Sequence, residues 1–188
     1  MTGSDSSKKN PWDVCAAWKS ESQFWAWLRG CLRKAWMRYP PSITWKQAQA
    51  IPPPDGYTGR AKKFGVCALC GGSAPISSLE VDHVDEGGSI KSYDDAARWL
   101  EKILDVNDNW QLVHKECHRI KTYATRMNIT FAEAVIEKQV IAFGKESVEK
   151  QRIILTETCL CETISTNSKG RADQYRQWLI SQERTLNE

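Results

Sequence analysis

Three histidines and three of the seven cysteines stand between residues 67 and 118 in an arrangement that could do chemistry. Cys67 and Cys70 form a Cys-x2-Cys pair in CALC. His114 and Cys117 form a His-x2-Cys pair in NWQLVHKECHRIKT, residues 109–122. Two ligands at that spacing reach one tetrahedral ion from a single knuckle of backbone, and a Cys3His set suits Zn²⁺ and not Mg²⁺. The alternative is that these cysteines are simply packed as small apolar residues and His114 is a surface histidine. His118 directly follows Cys117, so on a helix its side chain projects about 100° away from that ligand. It would therefore serve a second centre, for which Asp82 and His83, in VDHV, are the available partners. A carboxylate and an imidazole can hold a divalent cation with positions open to water and phosphate. A second imidazole, free of metal, can take a proton from water near neutral pH. Those are the parts that phosphodiester hydrolysis requires.

The rest of the chain must position them. Its 188 residues allow one or two domains with a real hydrophobic core. The net charge of +3 excludes little, but its distribution is uneven. Residues 1–63 carry 11 Lys/Arg against 4 Asp/Glu, residues 64–113 carry 3 against 9, and residues 114–188 carry 12 against 10. A basic first third beside an acidic centre fits an anion-binding arm next to a cation site; it fits equally a set of solvated helix faces. MTGSDSSKKN is polar with no apolar run behind it, and nothing approaches a membrane-spanning stretch, so no membrane partner and a reducing, cytoplasmic setting are expected. Cys15 and Cys31 are expected in the core of the N-terminal helical region, and the CLC at 159–161 is expected to be structural.

The elements read as α+β. Residues 1–19 are expected to be disordered or extended, and 20–60 to be a basic helical region. Ser20 and Gln23 match a capping box that opens a helix over 20–38, with Phe24, Trp25, Leu28, Cys31, Leu32, Ala35 and Trp36 along one stripe. YPP at 39–41 stops it, a short helix follows near 44–50, and IPPPDGYTG is a rigid connector. Two short strands are expected, near FGVCALC and at LEVDHV, with GGSAPISS between them as a turn. An amphipathic helix over 92–104, with Ala96, Trp99, Leu100 and Ile103 on one face, would account for the forty-three residues separating Cys70 from His114. The stretch from Asn109 should pass from loop into helix near 116. Thr130 and Glu133 cap a helix to about Phe143, and helices over 147–156 and 170–183 complete a C-terminal region, 128–188.

CxxC, DH, N and HxxCHRxKT, taken in that order, resemble the HNH endonuclease superfamily, the ββα-metal nucleases, in its zinc-bearing form. The resemblance covers about 64–125, and WLRxxLRxAWxRYPP ahead of it is similar to HNH proteins of tailed bacteriophages. It implies a ββα-metal core over 61–127 with a structural zinc on Cys67, Cys70, His114 and Cys117. His83 would be the general base, Asp82 and His118 would hold one catalytic Mg²⁺ or Mn²⁺ (Ni²⁺ or Zn²⁺ being the other candidates), and Asn109 would orient His83 through backbone hydrogen bonds. Arg119 and Lys121 would face the phosphate backbone of DNA. A phage setting would add terminase or replication proteins as possible partners, in the host cytoplasm. Arg29, Arg33, Arg38, Lys62 and Lys63 are the best further candidates for gripping phosphate without reading sequence.

Two points stay open in the sequence. Neighbours on a strand face opposite ways, so Asp82 and His83 can share one phosphate only if the strand ends or twists there. The same pattern also describes a catalytically idle, zinc-stabilised module that binds DNA or docks on a packaging or replication complex. Helix 170–183, with Arg171, Arg176 and Trp178, could face DNA, a partner or the core.

Overall fold

A computed structural model describes residues 9–105, 109–158 and 163–186 of the chain. It is α+β, with two separate two-stranded antiparallel sheets among the described residues. The chain falls into two compact units, Met1–His114 and Lys115–Glu188. The opening residues 1–8 and the CLC at 159–161 lie outside the described residues.

In the first unit, α1 (Pro11–Val14) precedes α2 (Glu21–Trp36). Residues read as disordered or extended thus include a short helix, and Trp12 packs on Phe24 with ring centroids 5.3 Å apart. Ser20 caps α2 by accepting the Gln23 N–H at 3.4 Å; the Gln23 side chain takes the Lys19 N–H at 2.8 Å, so only half of the expected box forms. YPP ends α2 and at once begins α3 (Pro40–Ala48), with proline in its first turn. Proline needs no N–H partner there and its φ already suits a helix, which is why α3 starts earlier than its apolar pattern suggests.

β1 (Phe64–Val66) pairs with β2 (Ser73–Pro75) in the register Phe64↔Pro75 and Val66↔Ser73. GGSAPISS therefore holds a strand as well as a turn. Gly71, at φ 70°, makes the reversal, with its N–H on the Cys67 carbonyl at 2.8 Å and the Cys67 N–H on the Gly72 carbonyl at 2.9 Å. A 3-10 turn over Ile76–Ser78 leads into β3 (Leu79–His83), then α4 (Tyr93–Leu104) and β4 (Trp110–His114). The last was expected to be loop. It is a strand because β3 supplies its partner, in the register Leu79↔His114 through His83↔Trp110.

The core of this unit gathers Phe24 and Trp25 of α2, Ile90, and Ala96, Trp99 and Ile103 of α4, with Leu28, Leu32, Trp36 and Leu100 packed around them. Most of the two predicted apolar stripes thus cover each other. Cys31 and Ala35 are corrections: both are exposed, and Cys15 is half-buried just past α1. Cys31 lies roughly 90° from the centre of the α2 stripe, beyond what α4 covers.

The second unit is helical: α5 (Lys115–Met127), α6 (Phe131–Phe143), α7 (Val148–Thr158) and α8 (Ser168–Leu186). Thr130 and Glu133 form the expected capping box, at 3.2 Å and 2.8 Å. Ile136, Val140 and Leu179 form one apolar cluster, and Phe143 with Leu155 another. α8 faces its own unit. Arg171 is buried with Nε on Gln151 Oε1 at 2.8 Å and a guanidinium N–H on the Thr166 carbonyl at 2.6 Å, while Arg176 pairs with Glu137 at 2.7 Å. Of the three roles open to Arg171 and Trp178, the core is the one occupied. Among the described residues no helix is long and apolar enough to cross a membrane.

β1 rides closely on the second sheet. A Cβ added at Gly65 would sit 2.8 Å from Leu112 Cδ1 and 2.9 Å from Leu79 Cδ1, both in buried side chains. Gly65→Ala is expected to destabilise the protein by about 1–3 kcal/mol through overpacking; a thermal melt checks it.

Candidate functional site

Cys67, Cys70, His114 and Cys117 come together, with one ligand atom from each lying within 4.8 Å of all the others. Three different local structures deliver them. The β1–β2 turn presents Cys67 and Cys70, the last residue of β4 presents His114, and α5 carries Cys117 three residues later. Gly72 leaves room beside two of them: a Cβ there would stand 3.3 Å from His114 Cε1 and 3.4 Å from Cys70 Sγ. Cys70 Sγ lies 3.3 Å from His114 Nδ1, so that nitrogen faces the sulfurs. Tetrahedral zinc with bonds of about 2.0–2.3 Å needs ligand atoms roughly 3.3–3.8 Å apart, which this group can meet. The cluster could hold a metal ion such as zinc, and among the described residues it is the one group of three or more Cys, His, Asp or Glu so placed.

Electrostatics favour a metal ligand at Cys67. Burial pushes its thiol up, but N–H groups of His114, Leu69 and Cys70 outweigh that and bring it from 9.0 down to about 6. One of these donors is the His114 amide, 3.4 Å from Sγ.

At the far end of β3, Asp82 and His83 are both buried, 4% and 9% exposed. Gln111, the cross-strand partner of Asp82, donates Nε2–H to Asp82 Oδ2 at 2.9 Å. His83 points into different company. Its Nε2 lies 3.1 Å from the Ile103 carbonyl, its ring centroid is 4.5 Å from that of Trp36, and Trp110 stands opposite on β4. A carbonyl oxygen only accepts, so Nε2 carries the hydrogen and Nδ1 is the basic nitrogen of the neutral ring. The strand ends at His83, and the contacts of the two neighbours differ as alternation requires.

Asn109 braces the loop just past His83. Its Oδ1 accepts the Asp85 N–H at 2.7 Å, its Nδ2 donates to the Lys102 carbonyl at 2.8 Å, and its own carbonyl takes the Val84 N–H at 2.8 Å. One side chain thus ties that loop to the last turn of α4. The carbonyls of residues 102 and 103 would otherwise be among the unsatisfied acceptors of a helix end.

His118 sits in the first half of α5, half-buried, one residue past Cys117. Arg119 is exposed and paired with Glu116 at 3.2 Å; Lys121 is half-buried. Arg33, Arg38, Lys62 and Lys63 are exposed and Arg29 is half-buried. Three groups around His83 and Asp82 escaped the sequence reading: the Ile103 carbonyl, Gln111 and Trp36. Gln111 had no clear signal, because WQLVH alternates only in part and its pairing with LEVDH is set by the sheet; the Ile103 carbonyl had no signal in side-chain type. Comparison with protein-family models, curated proteins and solved structures found no match for this chain.

Cys67→Ser and Cys117→Ser are each expected to lower bound zinc well below one per chain and to lower the melting temperature sharply, since structural zinc contributes folding free energy directly. Metal analysis and a melt on the same sample check this. The folded Cys67 thiol titrates at about 6 against 9.0 for an ordinary one. Its thiolate therefore stabilises the metal-free fold fully above pH 9, and that contribution is lost as pH falls through about 6. Zinc release to a chromogenic chelator should rise over the same acid range, because protons then compete for the ligand.

Proposed function

We propose that the protein is a metal-dependent DNA endonuclease of the HNH type, with a ββα-metal core stapled by zinc. The observation that carries this reading is the His83 ring, held by its Nε2–H on the Ile103 carbonyl so that Nδ1 is its basic atom. β3 pairs with β4, with α4 between them in the chain, and α5 follows β4 directly in sequence, an order that fits such a core carrying a helical insertion. The Asn109 clasp on the loop beyond His83 fits the orienting part that the resemblance gives that residue.

In this reaction His83 Nδ1 removes a proton from water as the water oxygen attacks phosphorus. The P–O3′ bond breaks, leaving a 5′-phosphate and, once the leaving oxygen gains a proton, a 3′-hydroxyl. Asp82 and His118 would hold the divalent ion, an oxygen and an imidazole nitrogen being suitable donors for Mg²⁺ or Mn²⁺. Bound there, the ion supplies charge neutralisation at the phosphate and the leaving oxygen. The burial of Asp82 supports that role, because a desolvated carboxylate is stabilised by a nearby cation. Arg119, Lys121 and the basic residues of the first third supply sequence-independent grip on the backbone.

The test is supercoiled plasmid with Mg²⁺ or Mn²⁺. Nicking or linearisation by the parent is expected, His83→Ala should slow it by about 10²–10⁴-fold while DNA is still bound, and Asp82→Ala should stop turnover with the fold and zinc intact. A parent that binds DNA and cuts none with any of Mg²⁺, Mn²⁺, Ni²⁺ or Zn²⁺ is instead a catalytically idle binding module.

A further inference from the structure

We infer that Trp36 is a positioning residue for His83, so that α2 belongs to the reaction site and is more than its support; the inference rests on the nuclease reading. The indole centroid lies 4.5 Å from the imidazole centroid at 49°. Trp36 also meets Trp110, the cross-strand partner of His83, at 5.3 Å and 66°. Tyr39 closes the group, 5.7 Å from Trp36 and 6.1 Å from Trp110.

The hydrogen bond from Nε2 to the Ile103 carbonyl fixes one edge of the imidazole. The indole, tilted at 49° with its centroid 4.5 Å from that of the imidazole, further limits rotation of the ring, because turning it would drive it into the indole. The Nε2–H···O bond is buried and the indole packs beside the ring that makes it, and that bond keeps the lone pair on Nδ1. Trp110 donates its own Nε1–H to the Ile103 carbonyl at 3.3 Å, so one acceptor organises both rings.

The indole is itself held at a fixed height. Trp36 is the last residue of α2, with Met37 as its C-cap, and Pro40 begins the next helix. At the other end, Trp25 packs on Tyr93 at the start of α4, with centroids 5.1 Å apart. α2 is therefore gripped by both ends of α4: through Tyr93 at one, and through the Ile103 carbonyl and His83 at the other. A tryptophan wanted only for its volume would need no such registration against a titratable ring.

The experiment compares Trp36→Leu and Trp36→Phe with the parent, each shown folded and zinc-loaded. Trp36→Leu should lower kcat on a duplex oligonucleotide with Mg²⁺ by on the order of 100-fold, as a misplaced base does, with KM little changed. Trp36→Phe should recover most of that loss. In the parent, the His83 Nε2–H should give a slowly exchanging proton resonance, and its ring protons should be displaced by the indole ring current. Both signatures should vanish in Trp36→Leu, and the slow exchange should return in Trp36→Phe. Unchanged kcat in Trp36→Leu, or an Nε2–H signal equally protected there, overturns the inference. If the parent cuts no DNA, the nuclease reading fails on that result; the proton signal then decides by itself whether Trp36 holds the ring.

Discussion

The antiparallel pairing of β3 with β4 is the constraint on which both candidate centres depend. Its register sets His114 opposite Leu79 at one end and His83 opposite Trp110 at the other, four residues away. At about 3.3 Å per residue the two ends stand roughly 13 Å apart. One end delivers a ligand to the sulfur cluster, and the other holds the buried Asp82 and His83. A slip of one residue would turn every side chain to the opposite face. It would take Gln111 from Asp82 and Trp110 from His83, and would move His114 away from Cys70. The buried Leu79, Leu112 and Val113, with β1 pressed on Leu79 and Leu112 through Gly65, oppose that slip.

α4 lies between the two strands in sequence, and its end works as part of the site. A helix leaves its last carbonyls without internal partners. Here the Lys102 carbonyl accepts from Asn109, and the Ile103 carbonyl accepts from His83 and Trp110. Lys102 also reaches Asp85 through its ammonium group at 2.6 Å. A segment that looks like an insertion interrupting a motif thus supplies the acceptors that orient the motif's first histidine. The apolar face of the same helix buries Trp99 and Ile103 against α2, so packing energy fixes where those acceptors stand.

Metal ligation and ring orientation differ in what they ask of the chain. Each half of the sulfur cluster is built from tight local geometry: a positive-φ glycine in a short hairpin for Cys67 and Cys70, and a residue pair three apart for His114 and Cys117. His83 depends on groups from α2, α4 and β4. Spacing specifies each pair, whereas bringing the pairs together, like orienting His83, takes assembly.

That contrast explains what could be read from residues alone. The four ligands, the two amphipathic faces of α2 and α4 and the cap at Thr130 were legible, because each is written in spacings of three or four residues. β2 and β4 were not: Ser73–Pro75 and Trp110–His114 are short and turn-like or ambiguous in isolation, and they become strands only when a partner satisfies their backbone. Cys31 was misplaced because its helical position fixes a direction without saying how far α4 covers it. The residue types pointed to a cluster that could hold a metal ion. Which face of His83 meets Trp36, which carbonyl takes its Nε2–H, and that Gln111 answers Asp82 were decided by tertiary packing, because hydrogen bonds and ring contacts depend on groups brought together from distant parts of the chain.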